Sequence, residues 1–153
     1  MSANDLLVLE NPVYRLFLGH CALVLLKTCA MSLITVAAFY MFDKNTKQKT
    51  KDDDSKDVKK NKPSTENVDR VRRCHRNDLE NVIPFVLLGL LYVATGPAYE
   101  TARIHFRIFT ISRFFHTVFY IFAIPQPSRA MVFFAGLGIN ISMAYRILTQ
   151  ALF

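Results

Sequence analysis

In "HFRIFTISRFFHTVFYI", residues 105–121, Arg113, His116 and Tyr120 are spaced i, i+3 and i+7. A helix would set this guanidinium, imidazole and phenol on one face. In "VDRVRRCHRNDLENVIPF", residues 68–85, Arg73, Arg76 or Asn77, and Glu80 repeat the arrangement. Lys27 and Arg107 also lie within apolar stretches, and Asp78 and Glu80 lead into one. Ionisable groups in such segments are costly and mark functional sites by default. Arg72, Arg73, Arg76, Arg113 and Arg129 outnumber Asp78 and Glu80. A cationic surplus partly shielded from water favours an anionic ligand. The rival reading is a set of internal ion pairs, Glu80 with Arg113 and Lys27 with Asp78, that brace a bundle. Those pairs absorb Lys27 and Asp78 but leave arginines over.

Arg129 has a setting of its own. "PQPSRAM", residues 125–131, reads as a helix start with Ser128 as cap. An arginine there adds its charge to free backbone N–H groups and to the positive end of the helix dipole. Such a place holds an anion, or makes one from a thiol. An interfacial arginine that snorkels to the membrane surface is the plainer alternative.

These residues need membrane helices to position them. Of the 153 residues 52% are hydrophobic, and residues 43–76 hold twelve of the nineteen Lys/Arg and seven of the twelve Asp/Glu. A soluble domain spreads charge over its surface; this chain sets charge aside, as a polytopic membrane protein does. The apolar stretches predict helices at about 12–42, 78–98, 103–124 and 128–150 in a single domain, 1–153, with a charged loop at about 43–67. Each approaches the ~20 residues that cross ~30 Å of hydrocarbon. Proline at 97, 125 and 127 punctuates the connections. Helical rise from Pro12 and from the 98–103 turn places Lys27, Glu80, Arg113 and His116 within a turn or two of one level, a polar belt.

The lysine-rich loop lacks interleaved aromatic residues, which argues against nucleic acid and for a solvated segment. Its Lys/Arg excess predicts a cytosolic location, with the termini on the opposite, lumenal side. No basic region precedes the first apolar run, which therefore reads as a retained helix and not a signal peptide. Cys21, Cys29 and Cys74 show no metal-ligand spacing. Cys21 and Cys29 read as small core residues. Cys74 sits among arginines, where a redox-sensitive thiol is the weaker rival to a buried side chain.

The stretches 68–85 and 105–121, with "PQPSRAMVFFAGLGINISMAYRIL" at 125–148, resemble the membrane-associated proteins in eicosanoid and glutathione metabolism, and most of all their microsomal glutathione transferase branch. The likeness runs almost without gaps from about Val68 to Leu148. It implies an all-α, integral membrane four-helix bundle assembled as a homotrimer. It also implies a location in the endoplasmic reticulum membrane, with the outer mitochondrial membrane as a second address. Glutathione would be the co-substrate, bound between subunits without a metal. It would be conjugated to hydrophobic electrophiles and would reduce lipid hydroperoxides. The contacts implied for it are Arg72, Arg73, His75, Asn77, Glu80, Arg113, Tyr120, Gln126 and Arg129. Arg129 would stabilise the thiolate, Glu80 would take the ammonium, and the arginines the two carboxylates.

The chain departs from the family in places. Met41 stands after Phe39–Tyr40 where the family carries a ligand-facing arginine, with Lys44 as the candidate substitute. No cysteine lies between Cys29 and Cys74 to serve the thiol-based activation of the nearest relatives. Arg76 resembles the prostaglandin E synthase branch, whereas Ala130 follows Arg129 where that branch has serine. A glutathione-dependent isomerase and a non-catalytic lipid-binding scaffold are the two rival functions.

Overall fold

A computed structural model describes residues 6–52 and 63–152, with side chains described for 6–41 and 68–152. It contains four helices: α1 (Pro12–Asp52), α2 (Pro63–Ala94), α3 (Tyr99–Ile121) and α4 (Gln126–Leu152). Among the described residues there is no strand. α1 packs chiefly on α2 and α3 on α4, with α1–α3 and α2–α4 closing a four-sided bundle. The all-α membrane bundle expected from the sequence is the fold.

Two helices run ten residues or more past their expected bounds, while α3 starts four residues early at Tyr99 and α4 spans two more at each end. α2 begins at Pro63, well before residue 78, because inward positions recur through the arginine-rich stretch: Val68, Cys74 and Asp78 are buried while Arg72, Arg73 and Arg76 face out. Proline at a helix start loses nothing, since its missing N–H would be unpaired there anyway. α1 continues to Asp52 because its lysine-rich end contains neither glycine nor proline. Of the expected loop, 43–52 and 63–67 are therefore helical backbone, and 53–62 lie outside the described residues.

Breakers set the other ends. α2 stops at Ala94, short of 98, because Gly96 takes φ +60° and Pro97 follows. α3 stops at Ile121, short of 124, with Ala123 at φ +53° and Pro125 beyond. α4 starts at Gln126, so Ser128 sits in the first turn and does not cap it; Pro127 fits that turn without breaking it.

The core is aromatic and lies in the half nearer the 95–98 turn. Phe85 stacks on Phe109 with centroids 3.8 Å apart, and Phe106 packs on Phe17 at 5.4 Å. Tyr92, Val82, Val93 and Met143 complete it. Outside, Leu26, Leu33, Leu87, Phe134 and Ile141 are exposed, as lipid-facing side chains should be. α1, α2 and α4 each carry a stretch long and apolar enough to cross a membrane. α3 is long enough at 23 residues, but Arg103, Arg107 and Arg113 keep it below that apolarity. Cys21 and Cys74 are buried as expected; Cys29 faces outward, a correction to its reading as a core residue.

Candidate functional site

Away from the aromatic core, the bundle turns polar. Lys27 Nζ donates to Asp78 Oδ2 at 2.5 Å, with 8% and 0% of the two residues exposed. This expected pair ties α1 to α2. The other expected pair does not form. Glu80 meets Arg76 one turn away on its own helix, at 3.0 Å, because both lie on the outward face of α2 while Arg113 lies inside.

Arg113 is fully buried. Its Nη1 donates to Asn77 Oδ1 at 3.3 Å and its Nη2 to the Val132 carbonyl at 3.0 Å, so one side chain joins α2, α3 and α4. Its partners are neutral, and among the described residues no carboxylate pairs with it. The guanidinium also stands 5.7 Å from the Phe109 ring centroid, which bridges the belt to the aromatic core.

Beside Arg113 opens a cavity of about 220 Å³ lined by Asn77, His116, Tyr120, Gln126, Arg129, Ala130 and Phe133. α3 supplies His116 and Tyr120 one turn apart, their rings 4.7 Å between centroids. The first turns of α4 supply Arg129 and, four residues on, Phe133. The Arg129 guanidinium stands 5.0 Å from the Tyr120 ring centroid, a cation–π contact that fixes it against α3 without neutralising it. Arg129 Nε, Arg113 Nε and His116 Nδ1 are buried and have no hydrogen-bond partner among the described residues. Polar groups in that state are expensive unless something binds them. Among the described residues neither guanidinium has a carboxylate within ion-pair distance, and Asp78, whose charge reaches Arg113, is already engaged by Lys27. Such an arrangement beside a small cavity can receive an anion.

The site residues expected from the sequence fall into two groups. Asn77, Tyr120, Gln126 and Arg129 line the cavity, and Arg113 backs it. Arg72, Arg73 and Glu80 lie outward on α2, with Arg72 3.8 Å from Asp69 and 5.6 Å from the Phe39 ring centroid. Arg73 has no ion-pair partner among the described residues. His75 lies between the groups, 3.5 Å from Ser32 Oγ on α1, with Nδ1 unpartnered. The side chain of Lys44 lies outside those described. His116, which the sequence puts on the Arg113–Tyr120 face and in the polar belt but not among the implied glutathione contacts, also lines the cavity. So does Phe133, which the sequence reading missed and the Arg129 i+4 spacing could have signalled.

The family profile for MAPEG matches residues 17–149. The chain belongs to the MAPEG family. Curated relatives of this MAPEG chain include microsomal glutathione S-transferase 1 from Bos taurus, 41% identical over 99% of both chains. The Homo sapiens protein of the same name is 40% identical over 95% of this chain and 96% of its own. Prostaglandin E synthase from Canis lupus familiaris is similar over a shorter stretch, 38% identical over 58% of each chain.

A larger cavity, about 550 Å³, lies elsewhere on this MAPEG bundle, lined by Pro12, Arg15, Leu16, Gly19, His20, Leu23 and Tyr99. Its histidine is already engaged, Nδ1 lying 2.8 Å from Thr110 Oγ1. Size favours this groove, but the smaller cavity is where polar groups converge, and convergence is the better sign of a binding site.

Proposed function

We propose that this membrane protein is a glutathione transferase that joins the glutathione thiolate to hydrophobic electrophiles reaching it through the bilayer. The observation that carries this reading is Arg129 at a small cavity, with Arg113 behind it and no carboxylate within ion-pair distance of either among the described residues. The names of relatives that span nearly the whole chain supply the identity of the anion.

An ordinary thiol has a pKa of about 8.5, and lowering it by two units takes about 2.7 kcal/mol. A guanidinium and the first turn of a helix, in a low-dielectric site, supply an amount of that order. Arg129 is the catalytic residue: it faces the sulfur and favours loss of the thiol proton to solvent. Asn77, Tyr120 and Gln126 orient the tripeptide, with His75 toward α1. Arg72 and Arg73 take its carboxylates and Glu80 its ammonium. The thiolate then attacks the electrophilic carbon, a C–S bond forms, and a leaving group such as halide departs. With a lipid hydroperoxide the thiolate attacks the O–O bond instead; a second glutathione completes a disulfide, releasing alcohol and water.

The outward position of Arg72, Arg73 and Glu80 supports a site completed by another copy of the chain. Charges facing hydrocarbon are costly, and a neighbouring subunit in a homotrimer would cover them. The Lys/Arg excess of 43–76 supports a cytosolic site with lumenal termini in the endoplasmic reticulum membrane, with the outer mitochondrial membrane as a second location. Saturable binding of labelled glutathione in equilibrium dialysis, with turnover of a chloronitrobenzene, is the expected result. Absence of binding by the assembled protein would instead favour the lipid-binding scaffold.

The prostaglandin E synthase relatives, with Arg76 on α2, favour a second reading: glutathione-dependent isomerisation of an endoperoxide. Faster turnover of prostaglandin H2 than of a chloronitrobenzene would put that reading first.

A further inference from the structure

The Val132 carbonyl that receives Arg113 Nη2 belongs to the backbone ladder of α4, where its i+4 partner is residue 136. Residue 136 is glycine, and the contact depends on that. A Cβ placed there would stand 2.8 Å from Arg113 Nη2, 3.1 Å from Arg113 Cζ and 3.0 Å from Ser112 Oγ. Either neighbour could move only by bending or giving up a hydrogen bond. Ser112 Oγ is bonded to the Phe109 carbonyl at 2.7 Å, and the guanidinium is held at both arms. Glycine is a poor helix former, so a buried one inside a helix calls for a packing reason. Here the reason is a notch that admits the guanidinium to the helix backbone.

We infer that Arg113, seated in the Gly136 notch, is a positioning residue that sets how Arg129 faces the substrate sulfur. The inference rests on the glutathione-transferase reading above and revises the direct ligand contact implied for Arg113. Asn77 lines one wall of the cavity, and Arg129, Ala130 and Phe133 line the other. Val132 lies three residues after Arg129, on the same helix face. Arg113 bonds to Asn77 and to Val132 through one planar, rigid fork, and so fixes both the separation of the walls and the rotation of α4. Being wholly buried, it has no surface to offer a ligand.

Gly138 provides a matched control, because a Cβ there meets nothing within 4 Å. The test compares Gly136→Ala, Gly138→Ala and Arg113→Lys in the full chain reconstituted in lipid nanodiscs. Glutathione affinity, the ultraviolet thiolate band of bound glutathione, and kcat and KM for a chloronitrobenzene are measured on each. Gly138→Ala keeps parental values. Gly136→Ala loses kcat by roughly ten- to a hundredfold, the scale of an ångström-sized misplacement, with a weaker thiolate band and little change in glutathione affinity. Arg113→Lys, which retains the charge but not the fork, shows the same split and serves alone if Gly136→Ala fails to assemble. Parental kcat and thiolate band in Gly136→Ala, or in Arg113→Lys, would overturn the inference. So would an affinity loss as large as the kcat loss, which would make Arg113 a ligand contact. A parent protein with no thiolate band would instead remove the underlying transferase reading.

Discussion

Lys27 and Asp78 meet at 2.5 Å inside the bundle, and breaking such a buried pair from one side leaves an uncompensated charge. Asp78→Leu should therefore destabilise the protein by about 3–5 kcal/mol, whereas the double substitution with Lys27→Met should recover most of the loss. Thermal unfolding in nanodiscs checks both; a double variant as unstable as the single one would deny that charge is the cause. Arg129 is different, since it touches an aromatic ring and, among the described residues, no carboxylate. Arg129→Leu should reduce thiolate yield more than glutathione affinity, measured by difference absorbance and dialysis on the same sample. Residue types and spacing revealed much of this belt, including the Lys27–Asp78 pair and the shared face of Arg113 and Tyr120. They did not reveal which way Glu80 points. Arg76 and Arg113 are both within reach of a carboxylate on paper, and only the packing of α2 decides that Glu80 faces out while Arg113 is enclosed.

At the scale of the helices, the buried aromatic cluster packs the half of the bundle away from the candidate site. Phe85, 0% exposed and stacked on Phe109, should cost about 3–5 kcal/mol when replaced by alanine. Glutathione affinity should change little once the variant is folded at lower temperature. Ser128 gives a sharper test of local structure. Because α4 begins at Gln126, Ser128→Ala should fall well short of the ~1 kcal/mol typical of a lost cap. A full cap penalty in thermal unfolding would move the helix start back to the position expected from the sequence. Apolar runs located the helices, whereas their ends depended on features hydropathy ignores. The outward arginines of α2 hid a helical stretch whose inward side is carried by Val68 and Cys74. Gly96 and Ala123, both at positive φ, mark the stops more sharply than the prolines beside them.

At the scale of the whole molecule, one bundle face remains to be explained by neighbours. Arg72, Arg73 and Glu80 are exposed on α2 above Ile83, Leu87 and Leu91, a charged patch over an apolar one. In the proposed trimer this face meets another copy, so Arg73→Glu should weaken glutathione binding in the assembled protein although Arg73 lies outside the cavity. The lysine-rich segment is assigned only a topological role; deleting residues 45–62 should leave most activity intact, and its collapse would give that segment a part in the site. Single-chain sequence patterns made the bundle legible, but a surface completed by a second subunit leaves only indirect marks, such as unpaired charge on an outward face. The most direct measurement remains the ultraviolet difference spectrum of the reconstituted protein titrated with glutathione at neutral pH. A saturable thiolate band that is lost in Arg129→Leu is the predicted result. Saturable binding with the thiol still protonated, or a band of parental size in Arg129→Leu, would contradict the claim that the Arg129 guanidinium, held in place by Arg113, faces an ionised sulfur.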